Sequence, residues 1–244
     1  MNRVATLEML SEKMSGSSVT STVLRRIEIC GGIATGKTTL AKRLHEVYGI
    51  GLFLEPIRTV PFWQEFYSSS GREYPFGKNL GFMLFHAHRI VRAGSSPFPA
   101  VCDFAFFQNC SYVDLSYRAE HTGVVEDATL KLEDGTLKDV YHRFVGTFAP
   151  PSVIIDINCP PEVQFERIQN RIVLEPGRGP ERSITQELLC KQRSIIDEWR
   201  KVEEFRGVPF ISVDSAGHDF RTDDGEVVSI WSDLERATNH QHAP

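Results

Sequence analysis

Apolar positions along this chain fall into two patterns. The first is a set of short continuous runs: Ile27-Glu28-Ile29-Cys30, Leu52-Phe53-Leu54, Ala100-Val101-Cys102, Val153-Ile154-Ile155-Asp156-Ile157 and Phe210-Ile211-Ser212-Val213. Runs of this length, rich in β-branched residues and apolar on successive positions, are what strands buried on both faces require. The second pattern has the period of a helix. It predicts helices over residues 37–48, 62–67, 76–93, 108–117, 162–171, 186–205 and 227–237. Gly49 and Gly51 stop the first of these, and Pro160-Pro161 starts the fifth. Five strands alternating with helices predict an α/β fold with a five-stranded parallel sheet covered by helices on both faces.

Residues 122–133 carry the weakest pattern. Asp134-Gly135 after them is a turn signal, which would close a hairpin using Leu130 and Leu132. Thr136-Leu137-Lys138-Asp139 instead has the spacing of a capping box, opening a helix to about residue 148, and that helix is the preferred reading. Ser183–Gln186 has a similar spacing ahead of the helix at 186–205. The segment between, 175–182, is charged and rich in glycine and proline, so a mobile loop is expected there. Residues 1–20 are polar and weakly periodic. They predict a flexible tail with a short helix at 7–13, leaving 21–244 as one domain.

Between the first strand and the first helix stands Gly31-Gly32-Ile33-Ala34-Thr35-Gly36-Lys37-Thr38-Thr39, which contains the spacing G-x-x-x-x-G-K-T. A strand leading into it and a helix leading out give the string a mechanism. Glycines let backbone N–H groups curl around an anion, and the helix N-terminus adds partial positive charge. Lys37 would reach the β- and γ-phosphates of a nucleotide, and the Thr38 hydroxyl would ligate Mg²⁺.

Two acids close neighbouring strands. Glu55, held extended by Pro56, is the candidate general base for a substrate hydroxyl. Asp103 is placed to share the metal with Thr38. Arg167 and Arg171 lie four apart on one helix face, just before the Gly/Pro loop. They predict a lid over about 167–183 that carries guanidinium groups onto a transferring phosphoryl. Trp63 and Phe66 would contribute to an aromatic slot for a flat base.

Composition narrows the classes. The 244 residues have a net charge of −5 and no dense Lys/Arg block, so neither nucleic acid nor an anionic membrane is implied as a partner. No apolar run approaches the ~20 residues of a membrane span. The five cysteines are scattered, which fits a reducing, cytoplasmic compartment. His86 and His88 are two apart and face different sides of a helix, so no zinc site is assigned.

Taken together, Gly32–Leu40, Glu55-Pro56, Phe76-Gly77-Lys78-Asn79, Glu166–Arg171 and Ile211–Asp214 with Asp219-Phe220 resemble the deoxynucleoside kinases, in order and spacing, from residue 24 onward. The resemblance implies the three-layer P-loop NTPase fold, ATP and Mg²⁺, and a homodimer formed through helices away from the site. It implies Glu55 as base toward a nucleoside 5′-hydroxyl, and Asn79 as a residue that reads the nucleobase. The chain departs from the family pattern at three places. Phe104-Ala105 follows Asp103 where the family has Arg-Ser, which places Phe104 at the substrate. Ile172-Val173 stand where a third lid arginine belongs, and Asn79 replaces a glutamine. Arg58, Arg72, Arg118 and Arg178 are the arginines available to compensate. Two other readings share the P-loop. One is a nucleoside monophosphate kinase like thymidylate kinase, with Arg58 on the acceptor phosphate. The other is a non-catalytic nucleotide-binding regulator, for which Phe104-Ala105 is the support.

Overall fold

The computed structural model describes residues 24–55, 60, 75–118, 128–175 and 179–239. Five parallel strands form one sheet in the order β2-β3-β1-β4-β5: β1 (Arg26–Gly31), β2 (Gly51–Phe53), β3 (Ala100–Cys102), β4 (Val153–Asn158) and β5 (Phe210–Asp214). The central strand β1 pairs with β3 through Ile27↔Val101 and with β4 through Ile29↔Ile155. Strand order reverses on either side of β1, so its carboxyl end opens into the crevice where such sheets bind ligands. Ile27, Ile29, Val101, Val153, Ile155 and Ile157 are wholly buried, which accounts for the continuous apolar runs.

Helices cover both faces: α1 (Lys37–Tyr48), α2 (Pro75–Gly94), α3 (Gln108–Arg118), α4 (Ala128–Thr147), α5 (Pro161–Leu174), α6 (Gln186–Phe205) and α7 (Asp224–Asn239). Leu40, Leu44, Val227, Ile230 and Leu234 pack α1 and α7 on one face. Met83, Ile90, Cys110, Tyr141 and Ile196 bring α2, α3, α4 and α6 onto the other. Gly49 ends α1 in the left-handed conformation at φ 66°, its N–H donating to His45 O. Asp156, wholly buried on β4, receives Arg193 and Arg200 of α6 at 2.8 and 2.7 Å and the Cys30 thiol at 3.3 Å. Burial alone would raise its pKa, but the two guanidinium groups outweigh it and hold the carboxyl below the usual range.

Three local expectations need correction. Helix α4 runs straight through Asp134-Gly135 rather than turning there. Leu137 and Tyr141 bury on its inner face, Lys138 bonds both Asp114 and Asp134, and Tyr117 donates to Glu133; together these exceed the ~1 kcal/mol that one helical glycine costs. Thr136 is therefore no cap, and its hydroxyl donates back to Leu132 O within the helix. The cap of α6 is Thr185, whose Oγ1 accepts from Leu188 N at 3.2 Å, rather than Ser183. Ser183 instead ends a short 3₁₀ helix, Gly179–Ser183, within the segment expected to be loop. The tail at 1–20 and the aromatic helix at 62–67 lie outside the described residues.

Candidate active site

The turn from β1 into α1 forms the floor of a cavity of about 970 Å³. Its backbone needs left-handed geometry at Gly31 (φ 147°), Ala34 (φ 60°) and Gly36 (φ 102°). A Cβ on Gly31 would stand 2.8 Å from Ile157 O, and one on Gly36 would stand 3.2 Å from the Phe220 ring, so glycine is required at both. Ile33, Ala34, Thr35, Gly36, Lys37, Thr38 and Thr39 line the cavity, with Gly31 and Gly32 behind them. Lys37 Nζ donates to Gly31 O and Gly32 O at 2.9 and 2.7 Å. Burial pulls its pKa down, and the nearby Glu55 and Asp103 oppose that.

Two braces of the loop were not legible in the sequence. Gln192 on α6 accepts from Ile33 N at 3.0 Å, and Gln108 on α3 donates to Gly31 O at 2.9 Å. The Ile33 N–H therefore points at a glutamine here. No short pattern marks a glutamine so far along the chain as a partner of the loop.

Asp103 joins the two halves of the cavity. Its Oδ2 accepts from the Thr38 hydroxyl at 2.7 Å, and its Oδ1 accepts from Glu55 N at 2.5 Å. Burial, then the charge of Glu55, pushes the Asp103 carboxyl up to about 6. A desolvated carboxylate beside a hydroxyl and a second carboxylate is a hard, oxygen-donor set of the kind Mg²⁺ prefers. Glu55 also faces His86 of α2, with Oε1 and Nε2 3.3 Å apart.

Arg167 and Arg171 both line the cavity from α5. Each is engaged. Arg167 donates to Ser215 O at 2.6 Å and to Ser215 Oγ at 3.3 Å, and so ties α5 to the loop after β5. Arg171 donates to the buried Glu181 at 2.7 Å. That loop returns Asp219 and Phe220 to the rim beside Gly36.

At the far end, Lys78, Asn79, Phe82, Asn109 and Tyr112 line the cavity. Lys78 and Asn79 are both buried and both donate to Ser116 Oγ, at 3.3 and 3.2 Å. Of the expected substrate residues, Asn79 and Glu55 line the cavity. Phe104 is not on the cavity wall; it is buried behind His86, with ring centroids 4.0 Å apart. Two residues beyond β3, its ring packs under the imidazole of α2 instead of facing the cavity. Trp63, Phe66, Arg58, Arg72 and Arg178 lie outside the described residues.

A family model for deoxynucleoside kinase matches residues 27–234, nearly the whole described chain. The chain belongs to the deoxynucleoside kinase family. It is a nucleoside kinase, a phosphotransferase. Among curated proteins the kinase is 25% identical to a deoxyguanosine kinase of Bacillus subtilis, over 88% of this chain and 94% of that one. It is 27% identical to a deoxyguanosine kinase of Dictyostelium discoideum, over 58% and 48% of the respective chains. Its fold is that of a deoxyadenosine kinase from M. mycoides solved with bound dATP: TM-score 0.69, 18% identity, 85% of this kinase and 99% of that chain. The same enzyme with bound dCTP gives a TM-score of 0.65 at 17% identity, with the same coverage. No helix among the described residues is long and apolar enough to cross a membrane.

Proposed function

We propose that this kinase moves the γ-phosphoryl of ATP to the 5′-hydroxyl of a purine deoxynucleoside. The observation that carries the reading is Asp103. One carboxylate holds the Thr38 hydroxyl on the phosphate side and the Glu55 backbone on the acceptor side, so donor and acceptor groups meet at one point of the cavity. The P-loop amides and Lys37 hold the phosphates. Thr38 and Asp103 would hold Mg²⁺, which supplies neutralisation of phosphate charge when bound. Glu55 takes the proton of the 5′-hydroxyl as that oxygen's electron pair forms the new bond to phosphorus and ADP leaves. Arg171 exchanges Glu181 for phosphoryl oxygens as the lid closes, and Arg167 keeps α5 registered on the nucleotide loop.

Lys78 and Asn79 support a base that offers a carbonyl acceptor, as a 6-oxopurine does, and the curated relatives named deoxyguanosine kinases agree. A homodimer is part of this reading too. Leu84 and Val91, seven apart on one face of α2, are about half exposed, a stripe suited to a second copy. All five cysteines are free and four are buried, which supports a reducing, cytoplasmic setting.

The test is phosphoryl transfer from ATP/Mg²⁺ to the four deoxynucleosides, the ribonucleosides and dTMP. Turnover is expected to be best on deoxyguanosine, and abolished by Glu55→Gln and by Lys37→Ala. Lys78→Met is expected to cost deoxyguanosine more than deoxycytidine. Turnover on dTMP alone, surviving Glu55→Gln, would overturn the reading.

A further inference from the structure

Two buried glutamines, Gln164 of α5 and Gln192 of α6, stand over the start of the phosphate loop, and nothing in the reaction just described uses them. Neither amide is free to turn. Gln192 Oε1 accepts from Ile33 N at 3.0 Å, and Gln164 Nε2 donates to Cys159 O at 2.6 Å. A flipped amide would set donor against donor in the first case and acceptor against acceptor in the second, so both orientations are fixed. Each side chain is left with one buried atom, Gln192 Nε2 and Gln164 Oε1, that makes no hydrogen bond among the described residues.

The two side chains meet at Gly32. A Cβ there would lie 2.6 Å from Gln164 Oε1 and 3.1 Å from Gln192 Oε1. Unlike Gly31 and Gly36, Gly32 has no left-handed φ, so its backbone does not itself demand glycine. Glycine is needed because two amides occupy the space above it. The peptide that follows is held at both ends. Its N–H, on Ile33, is taken by Gln192, while its carbonyl, Gly32 O, accepts from Thr35 Oγ1 at 3.0 Å and from Lys37 Nζ at 2.7 Å. The support is stiff. Arg193, next to Gln192, and Arg200, two turns on, tie α6 to the buried Asp156 of β4. Gln164 shares a face of α5 with Arg167 and Arg171, three and seven positions on.

A loop that receives phosphates through consecutive N–H groups gains from a backbone fixed beforehand, because no donor then has to be reoriented as the anion arrives. We propose that Gln164 and Gln192 are positioning residues for the phosphate loop: closed over Gly32 from two helices, they hold the Gly32–Ile33 peptide so that the N–H groups after it, and Lys37, stay aimed at the phosphates of the nucleotide. The inference rests on the reading of this loop as the phosphate site. Neither glutamine lines the cavity, so both act through the backbone rather than on the ligand.

Three measurements decide it. In protein labelled with ¹⁵N-isoleucine, the Ile33 N–H, assigned by the signal lost in Ile33→Val, is expected to exchange with solvent on the order of a hundredfold more slowly in the wild type than in Gln192→Met. Methionine has the same length and no oxygen to accept that hydrogen. By isothermal titration, Gln192→Met is expected to weaken Mg²⁺–ADP and inorganic tripolyphosphate alike by about tenfold, with KM for the nucleoside within about twofold. Its Tm should stay within about 2 °C, since the substitution removes the unpaired Nε2 as it strands the Ile33 N–H. A lower Tm with both affinities retained would make Gln192 merely structural, and a loss seen with ADP but not with tripolyphosphate would place its effect away from the phosphates; either result refutes the proposal. Gly32→Ala, whose methyl displaces Gln164 Oε1, is expected to weaken tripolyphosphate by about tenfold, and adding Gln164→Ala to recover most of that loss. A double variant no better than Gly32→Ala would remove Gln164 from the role. If the wild type binds neither ligand, the reading of the loop fails and the positioning role with it, whereas fast exchange at Ile33 in a wild type that binds both overturns the positioning role alone.

Discussion

Replacing Asp103 by asparagine should make this kinase more stable while removing its activity. The carboxyl is pushed from its ordinary 3.8 up to about 6 by burial and by the charge of Glu55. Each pH unit of that difference is worth about 1.4 kcal/mol, so keeping the group charged in the fold costs about 3 kcal/mol at pH 8. The folded-state pKa lies above the unfolded one. The penalty is therefore absent below about pH 4, roughly half present at pH 5, and complete above about pH 6. Asparagine carries no charge and keeps both contacts: Oδ1 can accept from Glu55 N, and Nδ2 can donate to Thr38 Oγ1. Allowing for a less favourable bond to Thr38, we expect a gain of about 1–2 kcal/mol at pH 8. For a chain of this size that is a rise in Tm of about 3–8 °C. The assay is thermal unfolding of both proteins in a chelating buffer from pH 5 to pH 8, with the difference in Tm plotted against pH. The gap should widen as pH rises. A gap that is flat across this range, or a variant that melts below wild type at pH 8, would refute the assignment of a costly buried charge. Phosphoryl transfer by Asp103→Asn should fall by at least a hundredfold, since a neutral amide is a poor Mg²⁺ ligand.

Other substitutions probe separate parts of the site. Gly36→Ala places a methyl against the Phe220 ring at a left-handed φ, and should weaken ATP binding at least tenfold by isothermal titration. Glu181→Gln removes the carboxylate that holds Arg171, and should lower KM for ATP a few-fold; an unchanged KM would mean that Arg171 never leaves Glu181. Arg193→Ala leaves the buried Asp156 with Arg200 alone, and should cost about 2–4 kcal/mol by urea unfolding at pH 7. Because the folded pKa of Asp156 is depressed, its contribution is present above about pH 4 and lost as pH falls below that, so wild type and Arg193→Ala should converge in acid.

The sheet was legible because each central strand is buried on both sides, and Ile154-Ile155 or Val101-Cys102 can be read as little else. The P-loop was legible because its glycines, lysine and threonine keep a fixed spacing within one short stretch, Gly31 to Thr38, between a strand and a helix. Asp134-Gly135 misled because turn propensity is local, whereas the packing of Tyr141 and the bonds of Lys138 that keep α4 continuous come from α3 and α6. His86, Gln192 and Gln108 were not legible as site residues for a related reason. Each meets its partner across 23 to 159 positions of sequence, and nothing near it in the chain records the meeting. Phe104 was expected at the substrate because it takes the place of the family's arginine after Asp103, yet an apolar ring finds its partner in His86 of α2 instead.

The bridge that Asp103 makes between Thr38 and the backbone of Glu55 also bears on how such an enzyme can diversify. If Glu55 is the base and Thr38 lies at the phosphates, the separation between the attacking oxygen and the phosphorus would be set by Asp103 just beyond β3, in the interior. In the proposed reading, the nucleobase is recognised at Lys78 and Asn79, which bond Ser116 on helices at the far end of the cavity. The two share no side chain. Substitutions at the base end can therefore trade one nucleoside for another without resetting the distance over which the phosphoryl group travels, so a new specificity need not be accompanied by a new mechanism.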